Sequence, residues 1–325
     1  MEGIKLISFI ENKVIDWEYV QDLLSLSRES NQWTNFGPVS LLLEKEIEKY
    51  FPDKGCVVCS SGTSALHALV SLNNYLYGSI IWSTSAYTFP SSHIGILQNS
   101  LIRDCDRNGM LKVNDCQGYI ATDIFGSCED FSKYKDRFLI VDAAYGLDKL
   151  HGNEDCILSF HQTKPWGMGE GGCIVVDKIY VPIVRSIINF GFNIRNDFYE
   201  NTFNAKLSDF SAALILSRLK DLGRIRQLYT EQFDRILGIA KNYGFKLFVE
   251  PLSTPSSVPL LYKRPILNLD NSHVVLKKYY KPLVDFPNAK KIYDRIVNFP
   301  CHMELGELSD REIGLVFEEL VNNNK

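Results

Sequence analysis

The chain has 325 residues, of which 45% are hydrophobic and 23% are charged, and its formal net charge at pH 7 is -4. This length and composition allow a full hydrophobic core in one large domain followed by a smaller one. Because the chain has no long basic run, its charge pattern gives no support for nucleic-acid binding or for binding to an anionic membrane.

The N-terminal stretch Met1–Lys5 lacks the charged, apolar and small-residue regions of a secretory signal peptide. No apolar run reaches the roughly 18 residues that a membrane span needs. We therefore expect a soluble, cytoplasmic protein whose eight cysteines are reduced core residues. Cys56 and Cys59 have the C-x-x-C spacing, but they flank two valines of a predicted strand, so we predict neither a metal site nor a redox motif there.

Helices are predicted at the start of the chain, where residues 1–50 read as mostly helical. The clearest of them is an amphipathic helix from Ser40 to Tyr50. Its apolar side chains share one face, and its glutamates, Glu44 among them, are predicted to point away from that face.

Short apolar strands alternate with helices from residue 56 onward. The strands are predicted at 56–59, 79–83, 101–102, 119–121, 138–141, 156–160 and 173–176. Further helices are predicted at 179–191, as one long helix from Leu207 towards Gly244, and near 288–297 and 308–322. This order predicts an α/β fold, with a mostly parallel central sheet flanked by helices. We assign residues 1–220 to the large domain and 221–325 to a smaller α+β domain.

A candidate phosphate cradle follows the first predicted strand. The strand breaks at Gly62 and passes through Thr63 and Ser64 into a helix, so free N–H groups, hydroxyls and the positive end of the helix dipole meet at one point. The stretch has neither the G-K-[ST] of a P-loop nor the G-x-G-x-x-G of dinucleotide folds, which favours a monophosphate. An ordinary Ser/Thr N-cap would give the same pattern.

Two other strand ends carry side chains that suit a planar ligand. Phe89 lies just past the second predicted strand, where an aromatic ring can stack on a ligand or simply belong to the core. Asp142 ends a strand of four apolar residues, as expected of a buried parallel strand that delivers a carboxylate at its carboxyl edge. Such an acid is either functional or the N-cap of the next helix.

One lysine, Lys164, lies between an apolar run and four glycines, in a stretch that extends from Ser159 to Gly172. Glycines allow tight turns and close approach to a ligand. A lysine held out of bulk water there can lower its pKa and attack a carbonyl group. Taken alone, the same pattern also fits a surface lysine on a glycine-rich turn.

Together these stretches resemble the DegT/DnrJ/EryC1/StrS family of sugar aminotransferases, which use pyridoxal 5'-phosphate (PLP, with PMP as its aminated form) on the fold-type-I scaffold. The resemblance extends over nearly the whole chain. Its matching pieces are Gly37-Pro38, Ser61–Leu66, Thr88-Phe89, Val141–Ala144, Ser159–Gly172, Asn204–Asp209 and Asn298–His302.

The resemblance implies a role for each matching position. Lys164 would bind the cofactor aldehyde covalently, Asp142 would pair with the ring nitrogen, and Phe89 would stack on the ring. Tyr145 stands where the family usually has Gln or His, and its phenol can still hydrogen-bond the ring oxygen. The phosphate would be held by four residues of the same chain and by one of the neighbouring subunit of a homodimer: Gly62, Thr63, Ser64, Ser159 and, from the neighbour, Asn204.

The implied reaction moves an amino group from L-glutamate to a nucleotide-linked keto sugar for a surface polysaccharide or a glycosylated metabolite. His161, Arg195 and His302 are candidate substrate contacts, although structural or solvated surface roles fit them as well. Asp123 stands where a histidine is common in the family. Two alternatives remain: a dehydratase of the same fold, although related dehydratases replace the lysine with histidine, and a non-catalytic binding module.

Overall fold

The computed structural model describes residues 6–113, 115–148, 153–194 and 201–325, and its first helices are α1 (Trp17–Ser30) and α2 (Pro38–Glu48). The prediction that Glu44 points away from the core is wrong. Glu44 is buried, its carboxylate accepts a hydrogen bond from Val58 N at 3.1 Å, and it forms an ion pair with Arg185. The carboxylate faces inward because a backbone donor and a guanidinium satisfy it there.

The main sheet has seven strands, which follow the predicted ones closely. They are β1 (Lys54–Cys59), β2 (Trp82–Ser85), β3 (Leu101–Arg103), β4 (Gly118–Thr122), β5 (Phe138–Asp142), β6 (Cys156–Ser159) and β7 (Gly172–Asp177). Their order is β1-β7-β6-β5-β4-β2-β3. Within the described sheet, β7 alone runs against its neighbours, and the other adjacent pairs are parallel. The predicted α/β fold with a mostly parallel sheet is confirmed.

Helix α3 (Gly62–Tyr77) crosses one face of this sheet, and its apolar stripe includes Ala65, Leu69 and Leu72. Helices α1 and α2 cover the other face together with the later helix α5 (Asp209–Leu219). Helix α4 (Val181–Ile187) lies between α3 and α5 in sequence and is shorter than the helix predicted at 179–191. The sheet is therefore buried on both faces, and its ligand-binding edge is the one at which the parallel strands end.

The predicted single helix from Leu207 to Gly244 is wrong, because the chain forms two helices, α5 and α6 (Leu222–Asn242). Helix α5 buries its apolar face in the core of the main sheet. Helix α6 buries its face in a second core that includes Ile225, Tyr229 and Phe233. One straight helix cannot face both cores, but the apolar spacing continues across the break and hides it in the sequence.

The second core includes a small antiparallel sheet of three strands in the order β10-β9-β8. These strands are β8 (Lys246–Leu247), β9 (Ser257–Leu261) and β10 (Ile296–Pro300), and the accompanying helices are α7 (Pro287–Arg295) and α8 (Asp310–Asn323). The helix predicted to reach residue 297 is too long, since β10 begins directly after α7. The division of the chain at residue 220 stays a prediction. Among the described residues, no helix combines the length and apolarity that crossing a bilayer requires.

Candidate active site

A cavity of about 570 Å³ opens at the carboxyl edge of the main sheet. It lies against the ends of β4, β5 and β6 and the first turn of α3, the edge where open α/β sheets bind ligands. Asp123 lines it, and so do eight residues that were given a role in the site from the sequence: Gly62, Thr63, Phe89, Asp142, Tyr145, Ser159, His161 and Lys164. The fold therefore brings most of the predicted site residues into one cavity.

Lys164 lies in a tight loop between β6 and β7. The loop is closed by backbone bonds, with Lys164 N donating to His161 O at 2.8 Å and Gly167 N donating to Lys164 O at 3.0 Å. A β carbon at Gly167 would lie 2.1 Å from His161 O, so only glycine fits the closed loop. The buried indole of Trp166 donates to Ser159 O at 2.9 Å and anchors the loop to the end of β6.

The Lys164 amine is held among apolar and aromatic surface. Its Nζ lies 3.1 Å from the centroid of the Tyr145 ring, and the side chain is buried. Burial lowers the pKa of Lys164 from its ordinary 10.5 to about 7, an effect that the negative charge of Asp142 opposes. An amine with this pKa exchanges protons readily at neutral pH.

Asp142 is the last residue of β5, and only 3% of its surface is exposed. Burial raises the pKa of Asp142 above its ordinary value, while the Ala144 N–H, at 3.1 Å from Oδ1, and the charge of Lys164 pull that pKa down. The carboxylate and the ammonium thus favour each other's charged form across the cavity. An acid placed this way can face a cationic group on a ligand.

The stretch predicted to be a phosphate cradle is the first turn of α3. Ser61 and Ser64 make a reciprocal capping box, in which Ser64 N donates to Ser61 Oγ at 3.1 Å and Ser61 N donates to Ser64 Oγ at 3.0 Å. Ser64 is therefore used as a cap and does not line the cavity, whereas Gly62 and Thr63 do. A β carbon at Gly62 would lie 3.2 Å from the β carbon of Ser159, which shows how closely the two walls of the cradle approach.

The two aromatic residues after β2 have different environments. Tyr87 is fully buried and belongs to the core, while Phe89 is 52% exposed and presents its ring to the cavity. Tyr145 lies across the cavity, and its hydroxyl is hydrogen-bonded to Ser256 and Thr163. Burial raises the pKa of Tyr145 to about 12, so the phenol stays protonated at neutral pH.

Besides Ser64, two other residues with a predicted site role, Asn204 and His302, do not line the cavity. Asn204 is exposed, and its side-chain oxygen accepts from Lys206 Nζ at 2.6 Å, so a contact to a neighbouring subunit stays a prediction. His302 is buried, and its Nε2 is 2.9 Å from Ser8 O, which fits the structural alternative. Arg195 lies outside the described residues.

Sequence reasoning missed the far wall of the cavity. This wall comes from Ile10 of the N-terminal segment and from Lys277, Tyr279 and Tyr280 between β9 and α7. Tyr279 is fixed there because its carbonyl accepts a hydrogen bond from the Tyr87 hydroxyl at 2.6 Å. The adjacent tyrosines and lysines were the only signal for this wall, and they show neither helical nor strand spacing.

The lowered pKa of Lys164 predicts its reactivity in protein freed of cofactor. Acylation of this amine, followed by mass spectrometry of its peptide, should reach half its maximum near pH 7, whereas the exposed Lys290, whose pKa is raised by Asp294, should react only at much higher pH. Because unfolding restores the ordinary value of 10.5, Lys164 also makes the fold more stable as pH rises from 7 towards 10.5. If acylation of Lys164 and of Lys290 reached half its maximum at the same pH, the buried environment of the Lys164 amine would be contradicted.

A comparison with protein families matches two stretches of the chain, residues 15–101 and 127–242, to the DegT/DnrJ/EryC1/StrS aminotransferase family. Together the stretches cover more than half of the chain, and they contain the cradle, Asp142 and Lys164. Among curated proteins, the chain is similar to the dTDP-4-amino-4,6-dideoxy-D-glucose transaminase of Shigella dysenteriae. The two are 24% identical over an alignment of 335 residues, gaps included, which covers 87% of this chain and 90% of that protein.

Solved structures share the whole fold at low sequence identity. PseC of Helicobacter pylori, an aminotransferase involved in the biosynthesis of pseudoaminic acid, matches with a TM-score of 0.80 and 19% identity over 98% of this chain and all of that one (100%). A GDP-4-keto-6-deoxymannose-3-dehydratase matches with a TM-score of 0.78 and 17% identity, over 97% of this chain and 100% of that chain. Since an aminotransferase and a dehydratase share this fold, the choice between the two reactions has to come from the site.

Proposed function

Because the chain belongs to the DegT/DnrJ/EryC1/StrS aminotransferase family, we propose that it transfers an amino group from L-glutamate to a nucleotide-linked keto sugar. The observation that carries this proposal is the placement of Lys164 and Asp142 in one cavity beside the first turn of α3. An amine, a buried acid and an anion cradle are the three groups that a phosphorylated pyridine aldehyde requires.

The residues of the cavity fit pyridoxal 5'-phosphate. The first turn of α3 and the Ser159 side chain both line the cavity and can present donors to a phosphate, and the buried carboxylate of Asp142 can pair with a protonated ring nitrogen. Gly62, Thr63 and Ser159 would hold the phosphate, with Phe89 on the ring face. When bound, the cofactor supplies an electron sink for the charge left when a proton is removed from the amino donor's Cα.

Lys164 would transfer the reacting proton, and Asp142 would keep the ring nitrogen protonated. The Nζ of Lys164, whose pKa is about 7, can accept a proton from the donor's Cα and give one back at neutral pH. The carboxylate of Asp142 would hold a proton on the ring nitrogen, since a buried anion there favours the cationic form. The hydroxyl of Tyr145 stays protonated and can donate a hydrogen bond to the ring oxygen.

The acceptor is proposed from two supports. The Shigella dysenteriae relative is named for a nucleotide-linked amino sugar, and it matches this chain over most of both lengths. The cavity of about 570 Å³ has room for a sugar beside the cofactor, with Lys277 on its wall to face an anionic substrate. We propose that the reaction takes place in the cytoplasm and that its amino-sugar product is a precursor of a surface polysaccharide or a glycosylated metabolite.

A homodimer with shared active sites is part of the proposal. The stretch that carries Asn204 lies next to the cradle, because Ser60 N donates a hydrogen bond to Ala205 O at 2.7 Å. The Asn204 side chain is exposed and does not line the cavity of its own chain. A neighbouring subunit could therefore receive this amide at its phosphate site. Mixed dimers of Asn204→Ala and Lys164→Ala chains should regain about half of the sites if the site is shared.

A panel of keto-sugar nucleotides, assayed with L-glutamate, tests the reaction. We expect one acceptor to give an amino sugar and one equivalent of 2-oxoglutarate per turnover, followed by mass spectrometry and by the absorbance change of the cofactor. A deoxygenated keto sugar without amine transfer would instead identify a dehydratase. A protein that stays colourless with added cofactor would identify a binding module.

Thr63→Val tests the phosphate cradle. Because the hydroxyl at the first turn of α3 is lost while the shape is kept, cofactor retention should weaken about 10- to 100-fold, with little effect on the rate at saturating cofactor. Equilibrium dialysis against the cofactor measures the change. The matched control is Thr230→Val, an exposed position on α6, which should leave retention unchanged. A lower rate with normal retention would mean that the phosphate lies elsewhere.

A further inference from the structure

A second lysine, Lys13, contacts the loop that carries Lys164. Lys13 lies in the segment before α1, and its Nζ donates hydrogen bonds to three backbone carbonyl oxygens of the loop. The oxygens are those of Gln162 at 2.9 Å, Lys164 at 2.5 Å and Gly167 at 2.5 Å. Lys13 does not itself line the cavity.

The number of donors matches an ammonium group. A protonated lysine has three N–H donors and no lone pair, and three carbonyl oxygens converge on it here. The same three oxygens would repel one another if no cation stood between them, because their dipoles point at one place. The ammonium form of Lys13 therefore adds three bonds to the backbone bonds that already close the loop. Burial and the charge of Arg218 lower the pKa of Lys13 to about 7, so this form is present at neutral pH and below, and the neutral amine above that pH still has two N–H donors.

A second cation from another part of the chain supports the same loop. Arg218 of α5 donates from Nε to Pro165 O at 2.9 Å and pairs with the buried carboxylate of Glu11. Glu11 also accepts from the Tyr229 hydroxyl at 2.8 Å. Four carbonyls of a six-residue stretch are thus bound by two basic side chains from outside it, and the carboxylate of Glu11 offsets part of their positive charge.

We propose that Lys13 is a positioning residue: its ammonium fixes the backbone on both sides of Lys164 and so directs the Lys164 amine towards Asp142 and the Tyr145 ring. The catalytic consequence rests on the function proposed above, but the structural effect does not. Both measurements below use protein freed of cofactor, so failure of the positioning role and failure of the proposed reaction are distinguishable.

Amide hydrogen exchange in Lys13→Met is the first test. Methionine keeps the apolar stem and removes the donors, so the amides of Lys164 and Gly167 should exchange about tenfold faster or more, while those of β5 and α3 stay protected. The matched control is Lys220→Met, because Lys220 pairs with Asp16 of the same segment and has no bond to the loop. If Lys13→Met does not fold, Lys13→Gln, which retains two N–H donors, replaces it.

The pH midpoint of Lys164 acylation is the second test. If Lys13 positions Lys164 in its buried site, the midpoint should rise from near 7 towards the ordinary 10.5 in Lys13→Met and stay in place in Lys220→Met. A general loss of stability would not move it in the folded fraction. An unchanged midpoint with unchanged exchange would overturn the proposal, and so would faster exchange spread evenly over the whole chain.

Discussion

Lys164→Ala is expected to lose the covalent attachment of the cofactor and to lower turnover by about 10³-fold or more, because both the amine that binds the aldehyde and the base that moves the proton are removed. The wild-type protein should be yellow with bound pyridoxal phosphate. Reduction with borohydride should then fix the cofactor to the peptide that contains Lys164, and intact mass should show one added cofactor per chain. The variant should show no added mass.

A second amine in the cavity provides an internal control for this test. Lys277 also lines the cavity, so it is the internal competitor for the cofactor aldehyde. Lys277→Ala should keep the tag on Lys164 and lose only substrate affinity. A tag that appears on Lys277, or a Lys164→Ala variant with near-normal turnover, would contradict the assignment of the reactive amine.

The residues that could be identified from the sequence are those that lie in a short, contiguous and recognisable sequence pattern. Lys164 was found because glycines surround it, and Asp142 because four apolar residues lead directly to it. Each motif also lies at a strand end, and parallel strands bring their ends to one edge of the sheet. Local patterns plus this single rule about topology therefore predicted most of one side of the cavity.

The residues that were missed reach the cavity only through tertiary structure. Tyr279 and Tyr280 follow β9, more than 100 residues after Lys164, and nothing in their local spacing indicates a ligand. Lys13 was not singled out from the sequence, because the carbonyls that it binds converge only when the loop at 162–167 is folded. The break between α5 and α6 was missed for a related reason, since the two helices face different cores while their apolar spacing continues.

Asp142→Asn is expected to separate catalysis from folding. The amide no longer carries the negative charge that would keep the ring nitrogen protonated, so kcat should fall about 10²-fold or more, on the order of 3 kcal/mol of transition-state stabilisation. Because burial raises the pKa of Asp142 above its ordinary value, the ionised carboxylate costs free energy of folding at neutral pH, and the neutral amide removes that cost. Denaturant unfolding should therefore show a variant at least as stable as the wild type.

A second buried carboxylate, Asp209, serves as the control, because its replacement should lower stability and keep turnover, whereas Asp142→Asn should lower turnover and keep stability. Asp209 accepts hydrogen bonds from the Ser27 hydroxyl, Val39 N and Ser40 N at the start of α2, and it does not line the cavity. Asp209→Asn replaces one acceptor oxygen by a donor, so it should lower the free energy of unfolding by about 1–3 kcal/mol and leave turnover per folded site nearly normal.

In Asp142→Asn the acylation midpoint of Lys164 should also move below pH 7, since the carboxylate that favours the ammonium is gone. Near-normal turnover in Asp142→Asn, or an unmoved midpoint, would remove Asp142 from the role of ring-nitrogen partner.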